Sequence, residues 1–490
     1  MSFRRLVPAV VLLAVFAMAV RVSTDSDTWW HLRAGAWMVE QRQLLTSDPF
    51  SLTRMGEPWI YPGWLAQLGL YGAYAAAGHM GLGLLTAAAV LAAFAFQWRT
   101  LDVPPLFRAF VVILAAMTSA VYWSARPQIF SFALAGAFVW ALERERAGAP
   151  CRVWILPPLM ALWANLHGGF AIGLMLIGAY LSAAVLEAGL PPLLGRMAWG
   201  ASWEAHRPRL ARLTGALVLS AAAVCLNPHG PALLAYPFKT VSIGVLQDYI
   251  QEWQSPNFHR AEVQPFLWML LLTLAAFGLS GRRARADELV TVGVFAALAL
   301  LAGRNIALFA LAAAPALARH GYAVLQPFFE HAARAPQVPE RRARWVNLML
   351  LALAALAAGL KIALPFRAET LDRALRAGAP IEAVGWIESH RPTGALFNSY
   401  NWGGYVVWAL HPDYPSFVDG RTDLFDDALL RDYLAAWRAE PGWEAILRRW
   451  DVRLALLEPG APLTLALEHA GWARGYADDQ AAVLTAPEGW

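Results

Sequence analysis

Apolar residues dominate eleven stretches of this chain, at 6–22, 80–98, 106–123, 128–143, 152–164, 168–188, 211–226, 264–280, 287–302, 304–319 and 345–364. A helix needs ~20 such residues to cross the hydrocarbon core, and fewer when its flanks adjust, so each stretch reads as a membrane span. The stretch 152–164 is short for one, and positions 62–78 are apolar enough to form a further helix. After Pro365 the pattern breaks into smaller units. An amphipathic helix at 380–389 precedes a strand from Gly394 to Phe397 and another from Ser416 to Val418. Helices near 427–438 and 442–449, an apolar strand at 452–457, a helix near 462–469 and strands near 472–476 and 481–485 complete the chain. Strands alternating with helices predict a small α/β layer, and roughly 125 residues can hold one modest core. The predicted architecture is an α-helical polytopic membrane domain over 1–364, with a long first outer loop at 23–79, and an extracytoplasmic α/β domain over 365–490.

Composition supports the membrane reading. The 490 residues are 58% hydrophobic and 15% charged, too little polar cover for a water-soluble protein of this length. Of 39 basic residues only Lys239 and Lys361 are lysines. That bias reads as the imprint of a GC-rich bacterial genome. The arginines lie in short loops between apolar runs, which orients a membrane protein and gives no reason to expect nucleic acid as a partner. Cys151 and Cys225, the only cysteines, argue against a disulfide framework and against a cysteine metal site. The first apolar run follows Arg4 and Arg5 and ends in Ala17-Met18-Ala19, which looks like a cleavable signal peptide. The many spans after it favour an uncleaved first helix.

Arginine also sets the topology. Arg99 and Arg108; Arg144, Arg146 and Arg152; Arg196, Arg207, Arg209 and Arg212; Arg282, Arg283 and Arg285; and Arg319, Arg334, Arg341, Arg342 and Arg344 fall in alternate loops. Placing all of them with Arg4 and Arg5 in the cytoplasm satisfies the positive-inside rule. One net crossing then remains between Tyr61 and Arg99, which makes 62–78 an interfacial or re-entrant helix on the outer side. The expectation is about eleven spans in a bacterial inner membrane, with the N terminus cytoplasmic and the C-terminal domain outside.

The opposite loops are poor in basic residues but hold the candidate chemistry. The first begins Asp25-Ser26-Asp27-Thr28-Trp29-Trp30-His31-Leu32-Arg33. Tryptophan favours the headgroup layer, so the aromatic part needs no function. The two carboxylates are costly near a bilayer unless paired or used. Asp25 or Asp27 is suited to take a proton from a hydroxyl or to hold a divalent cation such as Mg or Mn. Other outer turns contribute Arg126 and Gln128, Asn165 and His167, Asn227 and His229, and Arg304 and Asn305, and the long loop at 227–263 also carries Glu252-Trp253. Taken singly, each has a bland reading: asparagine and glycine cap helices, proline starts turns, and arginine snorkels. Together, at similar depth on packed helices, they predict one cavity. Arginines there suit phosphate or pyrophosphate, and carboxylates opposite them suit activation of a hydroxyl. His31, His167 and His229 lack the helical His-Glu-x-x-His spacing of a metal site. In the C-terminal domain, Asn398 to Tyr405, including Asn401, leaves a strand for a helix, and Asp419, Arg421 and Asp423 follow the next strand. Ligand binding and plain turn chemistry both account for these.

The stretch from Asp25 to Gly63, with its Asp-x-Asp-Thr-Trp-Trp-His-Leu-Arg opening, Ser47-Asp48-Pro49-Phe50-Ser51 and Pro58-Trp59, resembles bacterial membrane proteins related to the GT-C glycosyltransferases. The plan of a first helix, a long outer loop with an acidic motif, many further helices and an outer C-terminal domain is similar too. The resemblance implies that Asp25 or Asp27 is a catalytic base or metal partner. It also implies that the donor is a polyprenyl-phosphate or polyprenyl-diphosphate sugar and that the acceptor lies in the cell envelope. The Trp-Trp-His-Leu-Arg run departs from the protein mannosyltransferases and aminoarabinose transferases. Two other functions compete. A lipid-linked saccharide flippase predicts charges deep in several spans and internal repeats, neither of which this sequence displays. A non-catalytic envelope-assembly scaffold predicts that Asp27 is dispensable.

Overall fold

The computed structural model of the chain describes residues 1–193, 199–241, 243–244, 250–333 and 340–490; Arg196, Arg334 and positions 245–249 of the long loop lie outside the described residues. Every predicted span falls on a helix. The first is α1 (Phe3–Ala19), and Lys361, one of the two lysines, donates to the carbonyls of Met18 and Val20 just beyond it. Among the described residues six helices are long and apolar enough to cross a membrane, Trp64–Thr100, Pro105–Tyr122, Phe170–Leu193, Ala261–Leu279, Gly303–Phe329 and Arg341–Phe366. The short predicted span at 152–164 is a 3-10 turn, Pro150–Ile155, followed by an α-helix of 11 residues, Leu156–Leu166. That helix is about 17 Å long, less than the hydrocarbon thickness.

A helix of 16 residues lies where the first loop is predicted. Asp25 caps α2 (Ser26–Gln41) by accepting from the Asp27 amide at 3.0 Å, and Asp27 sits in the first turn. The Asp-Ser-Asp spacing is therefore an N-terminal helix signal as well as an acidic motif. The next helix, α3 (Trp64–Thr100), covers both 62–78 and the span 80–98. It is interrupted at Ala77 and Gly78, whose φ values of −150° and 56° are not helical, so two helices meet there.

The two sets of loops sort to opposite ends of the bundle. The helix Gln128–Arg146 is 19 residues, about 28 Å, long. Arg126, before its start, meets Asp25, while Arg146, at its end, meets Glu187 at 2.8 Å. Around Arg146 the arginine-rich loops are paired rather than bare. Arg209 reaches Glu145 and Glu187, Arg212 reaches Glu145, Arg285 reaches Glu143, and Arg319 reaches Glu288.

The C-terminal domain contains a mixed four-stranded sheet in the order β1 (Ala395–Asn398), β2 (Val452–Leu457), β4 (Ala482–Thr485) and β3 (Ala473–Ala477). Strands β1 and β2 are parallel, with Phe397 opposite Ala455; β4 runs antiparallel to both of its neighbours. The predicted strand Ser416–Val418 is not in this sheet. Ser416 instead makes a bridge to Ser51 of the first outer loop, and the Asn398 side chain binds Phe417 N and Val418 O. Trp30, Phe50 and Trp59 of that loop share one buried cluster with Phe417, Val418 and Phe425. The first loop and the C-terminal domain thus build a common core, driven by aromatic burial.

Candidate functional site

Three carboxylates converge on one guanidinium. Arg126, in the turn before Gln128–Arg146, lies 3.2 Å from Asp25 Oδ2 and 3.0 Å from Asp27 Oδ2, and its Nη1 is 3.6 Å from Glu252 Oε2. Arg304, from the turn before Ile306–Ala333, approaches Glu252 at 3.9 Å and lies over the Trp253 ring at 4.2 Å. The Trp30 indole donates to Asp27 Oδ1 at 3.2 Å.

This arrangement sets unequal charge states. Burial pushes the Asp27 carboxyl up to about 7; Arg126 and the Trp30 donor oppose that rise, and Asp25 and Glu252 add to it. Burial also works to raise Glu252, yet Arg126 and Arg304 together hold it below the ordinary value. For Arg126 the three surrounding carboxylates outweigh burial, so the guanidinium stays charged. Burial, with Arg304 and Arg126 nearby, lowers His167 to about 3. His31 is lowered as well, by burial first and then by Arg126, His167 and Arg421, so both imidazoles are neutral near pH 7.

Two cavities flank the cluster, one of about 760 Å³ and one of about 650 Å³. Arg126, Gln128, Gln251, Glu252 and Arg304 line both; Asp27 lines the larger and Asp25 the smaller. His31, His167, Asn401 and Asp423 also face the larger cavity. His167 is held by Ser131 Oγ at 2.8 Å and by the Gly169 N–H at 3.1 Å, and Asp423 accepts from Trp59 Nε1 at 3.2 Å. The C-terminal ends of the parallel strands β1 and β2 open onto the same space, where Ser399 Oγ donates to Glu458 Oε1 at 2.6 Å. Such edges commonly carry ligand contacts.

Seven expected residues do not line either cavity. Arg33 is paired with Glu40 along α2. Asn165 accepts from Trp64 Nε1 and donates to two carbonyls, Asn227 closes the turn to Gly230, and Asn305 caps Leu298. His229 Nε2 meets the Tyr61 carbonyl at 3.3 Å. Asp419 and Arg421 have fully buried side chains: Arg421 forks onto Asp419 at 2.8 and 2.7 Å and reaches Asp48 with Nη1. These two form a structural ion cluster. Glu252, noted in the sequence only as part of the long loop, is the main group whose place in the site the sequence did not reveal; nothing in its loop marks it apart from other acids.

The donor set does not match a resident divalent cation. The position between Asp25 and Asp27 is taken by the Arg126 guanidinium, and among the described residues no three His, Cys, Asp or Glu side chains gather as metal ligands.

A helical bundle whose first loop docks against a C-terminal α/β domain is a fold this chain shares with a solved oligosaccharyltransferase structure. The structure is similar to the archaeal oligosaccharyltransferase AglB from Archaeoglobus fulgidus, solved in complex with an inhibitory peptide and a dolichol-phosphate. The match has a TM-score of 0.57 and 13% identity, covering 99% of this chain and 75% of that one. ArnT from Cupriavidus metallidurans bound to undecaprenyl phosphate matches over 98% of this chain and 97% of its own, at 13% identity and a TM-score of 0.48. Its apo form gives 14% identity and a TM-score of 0.47, covering 96% of each chain. No family model and no curated protein matches the sequence.

Proposed function

We propose that this protein transfers a glycosyl group from a polyprenyl-phosphate-type donor to an acceptor hydroxyl, at the face of the membrane away from the cytoplasm. The observation that carries the reading is the placement of Asp27: a carboxylate of raised proton affinity on the wall of one cavity, separated from the next by Arg126, Glu252 and Arg304. The donor phosphate meets Arg126 and Arg304. The acceptor enters the larger cavity below the C-terminal domain.

Asp27 takes the hydroxyl proton while the hydroxyl oxygen forms a bond to the anomeric carbon. The bond from that carbon to the phosphate oxygen breaks, and its electron pair leaves with the phosphate. Arg126 and Arg304 stabilise the charge that grows there, in a site partly closed to water. Asp25 caps α2 and shares Arg126, so it acts through Asp27. The AglB structure, of similar fold, holds an inhibitory peptide and a dolichol-phosphate, and a lipid phosphate bound in such a fold supports this reading. The arginine topology supports N terminus inside and C-terminal domain outside in a bacterial inner membrane. A flippase would need charge near mid-span, whereas the ion pairs at Arg126 and Arg146 lie at the two ends of a helix.

The test is incorporation of labelled polyprenyl-phosphate sugar by purified protein. Asp27→Asn should lower kcat by about 10²–10⁴-fold, and Asp25→Asn by less, with both proteins folded and inserted. A fully active Asp27→Asn protein would remove the transferase reading and favour the scaffold.

A further inference from the structure

We infer that the Asp419–Gly420–Arg421 turn of the C-terminal domain is a positioning element of the reaction centre, its backbone at Gly420 seated against the Asp27 carboxylate. The inference rests on the reading of Asp27 as the base. A Cβ built on Gly420 would lie 1.7 Å from Asp27 Oδ1, 2.7 Å from Asp27 Cγ and 3.1 Å from Trp30 Nε1. Gly420 is not among the glycines of positive φ, so its backbone conformation admits a side chain. Glycine is required here by space, and the space is filled by Asp27. At Gly404 the same domain approaches the preceding residue: a Cβ there would lie 2.3 Å from the Ser26 carbonyl oxygen. Two glycines of one domain therefore close onto the first turn of α2.

The turn is firmly held on both sides of Gly420. Asp419 and Arg421 are wholly buried, Asp419 accepts from Ser416 Oγ at 3.0 Å, and Arg421 N donates to Asp419 Oδ1 at 3.0 Å. The Arg421 guanidinium lies between the rings of Phe50, Trp59 and Phe425 and reaches Asp48, which itself accepts from the amides of Phe50 and Ser51. Asp48 belongs to the first loop, as Asp27 does. One buried arginine thus ties the loop that carries the base to the turn that backs it.

The groups around Asp27 explain why such backing matters. Arg126 draws its carboxylate one way, Asp25 and Glu252 repel it, and Tyr61 and Tyr400 lie within its field. Gly420 backs one side of the carboxylate and keeps Oδ1 on the Trp30 N–H, leaving the side on the larger cavity open. A methyl group at 420 must push the carboxylate out of that contact, and a displacement of about 1 Å from reacting geometry costs on the order of 10²-fold in rate.

The test is a double-substitution cycle on the full-length purified protein, read by thermal unfolding and by turnover of the labelled polyprenyl-phosphate sugar. Gly420→Ala should lower the unfolding temperature by several degrees, and the same change in an Asp27→Ala background should lower it far less, because the obstructing carboxylate is gone. Gly420→Ala alone should lower kcat by about 10²-fold with KM within about threefold of wild type. If Gly420→Ala fails to fold, recovery of folding in Gly420→Ala/Asp27→Ala carries the same conclusion. Equal losses of stability in both backgrounds, or wild-type kcat in Gly420→Ala, would overturn the inference. A fully active Asp27→Asn protein would instead remove the base assignment while leaving the contact measurable.

Discussion

At the scale of single residues, one arginine shared among three carboxylates decides the chemistry. Burial lifts the Asp27 carboxyl to about 7, and Arg126, divided among Asp25, Asp27 and Glu252, opposes that rise without cancelling it. The ionised form accepts the proton in the proposed reaction. Below pH 7 Asp27 is mostly protonated, so kcat should fall about tenfold per unit of decreasing pH and level off above about 8. A pH–rate profile with the labelled donor checks this, and a flat profile from pH 5 to 8 would exclude Asp27 as base. The Asp-x-Asp motif and Arg126 were legible because carboxylates and arginine beside apolar runs are costly and hence conspicuous. Arg421 stayed open between ligand binding and turn chemistry in the sequence for a physical reason. Its partner Asp48 lies in the first outer loop, far away in sequence, and no local pattern distinguishes a buried ion pair from an open one.

At the scale of elements, hydrophobic length was enough to find the helices of the predicted spans but not their ends: the span at 304–319 falls on a helix that runs Ile306–Ala333, and the one at 211–226 on Trp199–Val224. The helix α2 escaped because its apolar content is modest and its first residues also look like a functional motif; the capping signal at Asp25 was present but carried a second meaning. Ser416–Val418 has a strand-like sequence, yet its backbone partners lie in the first outer loop and in the Asn398 side chain, a tertiary choice that alternation does not encode. The joint between these elements should be energetically large. Removing one partner of a buried pair leaves uncompensated charge, so Arg421→Ala should cost about 3–5 kcal/mol, with Asp48 and Asp419 left facing each other. Thermal unfolding of the solubilised protein measures it. A loss under about 1 kcal/mol would show that the cluster does not hold the loop to the domain.

At the scale of the whole molecule, the alternation of arginine-rich and arginine-poor loops assigns the turns to two ends of the bundle, and Arg126 and Arg146 meet their partners at opposite ends of one helix. What it did not reveal is that the arginine-rich end is itself an ion-paired network with Glu143, Glu145, Glu187 and Glu288. The molecule therefore offers arginines at both ends, and among the described residues the end at Arg126 sets them beside two cavities and a carboxyl lifted to about 7. The most direct measurement is a structure of the purified protein with a polyprenyl phosphate bound. The account predicts the phosphate within hydrogen-bonding distance of Arg126 and Arg304, on the smaller-cavity side of Asp27. A phosphate bound instead at the Arg146–Arg209–Arg285 end, with the Asp27 cavities empty of lipid, would contradict it.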